Sequence, residues 1–349
     1  MNTLLKRFAA AGLLGVLVLA LLAWRSLTSP VEVPEESRVV EVVQGSGANQ
    51  IAARLAAEGL LSNPRLWAWY ARATGQAEQL RAGEYEFADG ITPTDILAQL
   101  VAGKVKLHTF TILEGWTVRE VLQALDSQPA ISRTLADNIT AESLSDALQL
   151  PYEHAEGLFY PETYNFPKGT TDTALLKQAA ELMSTELVQA WTEHEDAHGD
   201  ASILRSPYEL LILASIVERE TAVDEERPEI AGVFLRRLNK RMRLQTDPTV
   251  IYGMGDAFDG DIRRRDLKTD TPYNTYTRYG LPPTPIGMPS RSSMSAVANA
   301  DPDVGTSLYF VAVGDGSGRH VFNDTLQGHN LAVAEYLKRL RSQRNSDTK

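Results

Sequence analysis

Residues 206–221 read SPYELLILASIVERET, and this stretch decides the fold class. From Leu210 to Val217 it is apolar apart from Ser215; it then turns ionic at Glu218, Arg219 and Glu220. Leu210, Leu211, Ile212, Leu213, Ala214, Ile216 and Val217 cannot be drawn as one narrow stripe, and a helix that is apolar all round is a buried helix. Ser206-Pro207 suits its start, an N-cap followed by proline at the first helical position. Glu218 then closes a core helix with its carboxyl partly out of water, a setting that suits a general acid near neutral pH. The competing reading is a solvated glutamate where the helix surfaces.

The whole chain narrows the class. Its 349 residues carry a net charge of −11, which argues against a nucleic-acid binder, because a phosphate backbone demands a basic surface. There is no cysteine, so thiol catalysis, disulfides and thiolate metal sites are excluded. At the N-terminus Lys6 and Arg7 precede an uncharged run, Phe8 to Trp24, FAAAGLLGVLVLALLAW. With its flanks this run can just span a hydrocarbon core. It is long for a cleaved signal peptide, Trp24-Arg25 supplies an interfacial aromatic and a stop, and no small-x-small cleavage site follows. An uncleaved anchor in the cell inner (plasma) membrane is expected. Lys6 and Arg7 put its N-terminus in the cytoplasm, and the rest of the chain in the periplasm of a Gram-negative cell.

Ser26 to Ser37, with prolines at 30 and 34, reads as a short linker. Residues 38–113 alternate short strands and short helices. Strands are expected over RVVEVV (38–43), GEYEF (83–87) and KLHTFTIL (106–113). Helices are expected over 49–60, from Asn63-Pro64 onward, and from the Thr92-Pro93 cap. Trp67, Trp69 and Tyr70 read as core more than as a sugar platform. Further on, EGLFYPETYNF (156–166) reads as an ordered, aromatic loop. Long amphipathic helices are expected over 172–194 and 225–243; Arg236, Arg237, Lys240, Arg241 and Arg243 read as a solvated face of the second. TPYNTYTRYGLPPTPIG (271–287) cannot be regular structure, and its aromatic and hydrogen-bonding groups suit carbohydrate. A short helix over 291–300, a hairpin around GDGSG (314–318) and a final helix over 331–341 complete the chain. His194 and His198 stand four apart as on a zinc helix, but no third ligand is near; no metal and no cofactor are expected.

Glycan chemistry usually employs two carboxyl groups. Glu218 and Glu220 are adjacent in sequence terms, yet on a helix they point about 200° apart. Glu218 lies on the side of Leu211, Ala214 and Ser215. A single catalytic carboxyl at Glu218 is therefore the simpler scheme: it protonates the leaving oxygen, then takes the proton from an internal sugar hydroxyl. Glu220 would orient or support. Asp247 is a candidate second carboxylate, or a helix cap before Pro248.

Five stretches, EGLFYPETYNF (156–166), LASIVERET (213–221), LQTDPTVIYG (244–253), TPYNTYTRYGLPPTPIG (271–287) and YFVAVGDGSGRHVFNDTLQGHN (309–330), resemble the membrane-bound endolytic murein transglycosylases, the YceG-like or MltG family. The resemblance implies an α+β chain with an N-terminal transmembrane helix, a small LysM-like α/β unit and a larger mixed α+β catalytic domain. The implied bounds are 1–27 for the anchor, 28–37 for the linker, 38–105 for the LysM-like glycan-binding unit, 106–341 for the catalytic domain and 342–349 for a polar tail. It implies cleavage of the MurNAc–GlcNAc β-1,4 bond of peptidoglycan strands without water, leaving 1,6-anhydro-MurNAc ends. Glu218 would be the catalytic residue. Glu220, Ser215, Asp247, Gln245, Tyr273, Asn274, Tyr276, Tyr160, Glu162, Tyr164, His329 and Asn330 would support it or bind substrate. Implied partners are glycan strands, the membrane and peptidoglycan synthases (penicillin-binding proteins), with nascent strands as the substrate. The alternatives are a non-catalytic anchored glycan-binding scaffold and a hydrolase using Glu218 with Asp247.

Overall fold

The uncharged N-terminal run forms a single helix, α1 (Asn2–Thr28), in a computed structural model that describes residues 2–347. Over Lys6–Thr28 this helix is long and apolar enough to cross a membrane, with a mean hydropathy of 2.0. The short linker expected after it is packed along its length. Leu27 and Val33 are buried. The Val31 amide donates to the Ile91 carbonyl (2.9 Å) and the Gly90 amide returns a bond to Val31 (3.0 Å). The Val33 amide donates to the Asp89 carboxylate at 3.1 Å. Prolines fix the local path, and these bonds dock it.

The chain divides into two units, one made of the residues up to Thr109 with Asn165–Thr170, the other of Phe110–Tyr164 and the chain from Thr171 onward. After α1 the first unit contains β1 (Val39–Val42), α2 (Ala48–Ala57), α3 (Pro64–Ala73), β2 (Gly83–Glu86) and α4 (Pro93–Ala102). β1 and β2 pair antiparallel, with Val40 opposite Tyr85. Alternate residues of β1 turn inward, as the pleat requires. Asn63 caps α3 through the Leu66 amide, and Thr92 caps α4 in a capping box with Asp95. The aromatic cluster on α3 splits. Trp67 is fully buried with its indole N–H on the Pro93 carbonyl at 2.8 Å, whereas Trp69 is 63% exposed. β3 (Leu107–Thr111) then leads into the second unit.

The second unit opens with α5 (Val118–Asp126) and α6 (Ala141–Leu148). The aromatic stretch at 156–166 was expected as a loop throughout. Its end instead forms β4 (Thr163–Pro167), which pairs with β3. The reason is local: Tyr164 and Phe166 alternate inward, a strand period of two half-hidden among aromatics. α7 (Asp172–His198) follows, and then α8 (Pro207–Glu220). Ser206 caps α8 by accepting from the Glu209 amide (3.3 Å), and Thr221, in an extended conformation, ends it. Every residue from Leu210 to Val217 is buried. They form the centre of a core with side chains of α7, of α9 (Arg227–Asn239) and, beyond α10 (Asp247–Met254), of α11 (Arg291–Asn299). β5 (Tyr309–Ala312) and β6 (His320–Asn323) make the expected hairpin. The last helix, α12 (Leu326–Asp347), starts earlier and runs longer than the 331–341 expected. Of the polar tail, residues 348–349 lie outside the described residues.

The arginine face of α9 differs from its expected solvated state. Arg236 and Arg237 are buried. Arg236 donates to the carbonyls of Val304 (2.6 Å) and Ser307 (2.8 Å), and Arg237 to those of Leu308 (2.7 Å) and Leu244 (2.5 Å). Guanidinium groups supply the donors that irregular backbone needs once it is buried. His194, also buried, lies on the Ala298 carbonyl (3.0 Å) and the Ser202 hydroxyl (2.5 Å).

The two tryptophans of α3 give a direct test of this packing. Trp67→Ala should cost about 4 kcal/mol of unfolding free energy. Trp69→Ala should stay within about 0.5 kcal/mol of the parent. Urea titration of the detergent-solubilised chain, followed by fluorescence, measures both.

Candidate active site

The buried face of α8 ends on a carboxyl group that is itself enclosed. The side chains of Glu218 and Arg227 are 5% and 6% exposed and form an ion pair of 3.1 Å. Arg227 comes from the first turn of α9 and also reaches Asp224 (2.5 Å) and the Ser292 hydroxyl. The other oxygen of Glu218 accepts from the Ser290 amide at 2.9 Å and from the Ser290 hydroxyl. Ser290 is the N-cap of α11, so the positive end of that helix faces the carboxylate. Three donors thus converge on Glu218. Arg227 retains a buried Nε with no partner.

Ser215, one turn earlier on the same face, repeats the pattern. It is fully buried, donates to the Ile212 carbonyl (2.7 Å) and accepts from the Ile286 amide (3.0 Å). Ser215 and Glu218 therefore hold the two ends of segment 286–290 against α8. On its other side this segment exchanges bonds with the turn before α5: the Gly115 amide donates to Met288 (2.8 Å) and the Met288 amide to Trp116 (2.7 Å). A β-carbon on Gly287 would lie 2.6 Å from the Gly115 carbonyl oxygen, so only glycine fits that approach. Arg219 locks the turn by donating to the same carbonyl at 2.7 Å. Glu114 sits in this turn; partial burial, then the charge of Glu218, push its carboxyl above the usual carboxylate range.

Glu220 points into different surroundings, as its position on the helix dictates. Its carboxylate accepts from the Thr246 hydroxyl at 2.5 Å. Burial raises its pKa, and the nearby charge of Asp247 adds to the rise. Asp247 accepts the Tyr276 hydroxyl at 2.6 Å, and it stands inside α10 after Thr246, so it is not the N-cap. Asp247 thus belongs with Glu220 and Tyr276. Arg237 lies over the Tyr309 ring, 5.2 Å from its centre, and His329 stacks on the same ring at 5.4 Å. Burial, then the Arg237 charge, lower the His329 pKa, and its Nδ1 is buried without a partner.

A third arrangement lies beside Arg219. A cleft of about 990 Å³ is lined by α5, by Glu142, His154 and Glu156, and by Tyr252 and Tyr273. Glu156 is 2% exposed. It accepts from the Val118 amide (2.9 Å) at the start of α5 and from the Tyr252 hydroxyl (2.8 Å). Burial pushes its carboxyl up to about 7, against the lowering effect of those two donors. Tyr273 meets Tyr252 edge to face at 4.7 Å, and its hydroxyl pairs with Thr284 (2.9 Å).

The remaining residues singled out from the sequence fall as follows. The Tyr164 hydroxyl donates to the Tyr160 carbonyl at 2.6 Å. Burial, then the charge of Glu186, push the Tyr160 hydroxyl up from its usual range, with Glu162 and Glu114 adding to the rise. Asn274 is buried; its amide donates to the Thr269 carbonyl (2.7 Å) and accepts from the Tyr276 amide (2.8 Å), fixing the irregular segment. Gln245 takes a left-handed φ of 50° and is exposed. Asn330 is exposed on α12. Sequence reasoning missed Glu114, Glu156, Arg219, Arg227 and Ser290. Glu156 opens the quoted aromatic stretch, and Glu114-Gly115 ends a strand; both carried a signal. Arg227 and Ser290 carried none.

The profile of the YceG-like family matches residues 40–335, and the chain belongs to that family. The endolytic murein transglycosylase of Bacillus subtilis (strain 168) is 30% identical over 338 residues, covering 91% of this chain and 90% of that protein. The endolytic murein transglycosylase of Streptococcus pneumoniae (strain D39) is 27% identical over 332 residues, 85% of this chain and 58% of that longer protein. A crystal structure of a YceG-like protein from Listeria monocytogenes superposes with a TM-score of 0.53 at 29% identity, covering 84% of this chain and 97% of that one.

The elevated carboxyl at Glu156 links stability to pH. The folded state holds its proton more tightly than the unfolded chain, so this contribution is complete below the unfolded pKa and is lost as pH rises through about 7. Between about pH 5 and about pH 8 the parent should lose about 2 kcal/mol more unfolding free energy than Glu156→Gln. Denaturant titrations at the two pH values measure the difference.

Proposed function

We propose that this chain is a membrane-anchored endolytic lytic transglycosylase, acting on the MurNAc–GlcNAc β-1,4 bond of peptidoglycan strands and leaving 1,6-anhydro-MurNAc ends. The observation that carries the reading is the Glu218 carboxyl, enclosed at the end of a buried helix between Arg227 and Ser290. The names of the relatives supply the substrate class. Glu218 protonates the glycosidic oxygen as the bond to C1 breaks. The sugar's own C6 hydroxyl then adds to C1, and its proton returns to Glu218. No water is consumed, so one carboxyl serves both halves. The enclosed position keeps competing water from C1.

The surroundings divide the remaining work. The segment held through Ser215 and Ser290 forms a wall beside Glu218, and Tyr160 and Glu162 would bind substrate. Glu220, with Thr246, Asp247 and Tyr276, braces the opposite side of the helix. Asp247 keeps company with Glu220 there, which supports a single carboxyl at Glu218. Residues 38–105 are a LysM-like unit that holds glycan, with the exposed Trp69 available for a sugar face. The helix over Lys6–Thr28 anchors the chain in the inner membrane with its N-terminus cytoplasmic and its catalytic part periplasmic. There it would cut nascent strands beside the peptidoglycan synthases and end their elongation.

Mass spectrometry of the products from isolated glycan strands tests the proposal. The parent should release anhydro-muropeptides, and Glu218→Gln, folded by circular dichroism, should release none. Products carrying an added water would make the enzyme a hydrolase. Strand binding without shortening would make it a scaffold, and release by Glu218→Gln would remove that residue from the mechanism.

A further inference from the structure

The anchor helix ends on a charge that glycan cleavage does not use. Arg25 follows the uncharged run directly. In the orientation given above it lies on the outer side of the span, against the usual inward bias of basic residues. Within the first unit a cleft of about 590 Å³ opens at this point. Leu22, Arg25, Ser26 and Ser29 of α1 line one side of it, with Glu32 beyond the helix end and Ser62 in the turn after α2. Positions 22, 25, 26 and 29 repeat at intervals of three and four, so their side chains share one face of the helix.

Both walls of the cleft are fixed. Leu27 and Val33 on one side, and Leu60 and Leu61 on the other, are buried in the same core. The Thr94 hydroxyl donates to the Leu27 carbonyl at 3.3 Å, and the Leu60 amide to the Leu55 carbonyl at 2.9 Å. The polar groups between the walls are unused. Among the described residues, the side chains of Arg25, Ser26, Ser29, Glu32 and Ser62 have no hydrogen-bond or ion-pair partner. Arg25 and Glu32 thus carry opposite charges into one cleft without pairing with each other. Their order along the chain is also informative. Leu22 lies about 4.5 Å nearer the membrane than Arg25 at the helical rise. Glu32 comes after the helix has ended. From the bilayer outward the cleft therefore presents an apolar group, a cation with hydroxyls, and an acid.

We propose that this cleft binds the headgroup of a zwitterionic phospholipid, with the phosphate on Arg25 and the serine hydroxyls and a primary ammonium on Glu32. The inference rests on the reading of α1 as a membrane anchor. Acyl chain, phosphate and ammonium follow one another outward in such a lipid, in the order that Leu22, Arg25 and Glu32 would meet them. A guanidinium and hydroxyls donate to phosphate oxygens, and a carboxylate accepts from an ammonium. An anionic headgroup without the amine would leave Glu32 facing like charge. Because the walls belong to the folded unit, a lipid seated here ties that unit to the bilayer surface at a second point beside the span.

The test is native mass spectrometry of the full chain in detergent, titrated with dioctanoyl phosphatidylethanolamine or dioctanoyl phosphatidylglycerol. The parent should retain phosphatidylethanolamine saturably, and should bind phosphatidylglycerol, which lacks the ammonium, about tenfold more weakly. Arg25→Gln should weaken phosphatidylethanolamine binding about tenfold, and Glu32→Gln should abolish the preference between the two lipids. Both side chains are exposed, so both variants should fold. Equal retention of the two lipids by the parent, or parent-like binding by Arg25→Gln, would overturn the site. Saturation by phosphoethanolamine alone, at the affinity of the lipid, would make the ligand a soluble amino phosphate and overturn the lipid assignment. Failure of the anchor reading looks different: the parent would then not float with phosphatidylcholine vesicles, whichever lipid is added.

Discussion

Segment 286–290 is held to the buried helix by two hydrogen-bonded side chains one turn apart, Ser215 and Glu218. The rest of the second unit depends on that attachment. The segment carries the start of α11, and through Gly287 and Met288 it carries the turn before α5. The same carboxylate receives Arg227 and so fixes the first turn of α9. A buried ion pair is weak as a source of net stability, because desolvation offsets attraction, but losing one partner strands the other charge. Glu218 is thus a structural junction that ties α8, α9 and α11 together.

The last turn of α8 acts as a divider because Glu218 and Glu220 both lie within the helix. One carboxyl is met by an arginine and a helix N-terminus, the other by a threonine hydroxyl and, further out, an aspartate. Two identical side chains two residues apart acquire different properties from what each helix face meets. Arg219, between them in sequence, faces a third direction and joins the Glu114 turn to the cleft that contains Glu156. Each direction from a single helical turn is therefore assigned to one task.

How much of this could be read from residues alone follows the range of the interactions. The burial of α8 is written in its uniform apolarity, its start in Ser206-Pro207, and the separation of Glu218 from Glu220 in the helical repeat. The hairpin at 309–323 and the membrane-length run are equally local signals. β4 was hidden because proline and crowded aromatics mask the inward alternation of Tyr164 and Phe166. The arginines of α9 misled because a basic face looks the same in sequence whether it meets water or buried carbonyls. Glu156 was missed because its partners stand 38 and 96 residues away. Arg227 and Ser290 owe their roles to folding that brings separate helix starts to one carboxylate, and no neighbouring residue announces it.

The route of the chain through β3 and β4 has a consequence for the order of assembly. The first unit includes Asn165–Thr170, which follow more than fifty residues of the second unit. Lys168 from this returning segment reaches Glu41 at 2.9 Å and Glu84 at 3.5 Å. A chain emerging N-terminus first therefore exposes β1 and β2 before the piece that neutralises their carboxylates exists. The N-terminal unit matures only after part of its successor has been made. The two units are interleaved along the chain, and a fragment ending near Thr109 would be an unfinished unit.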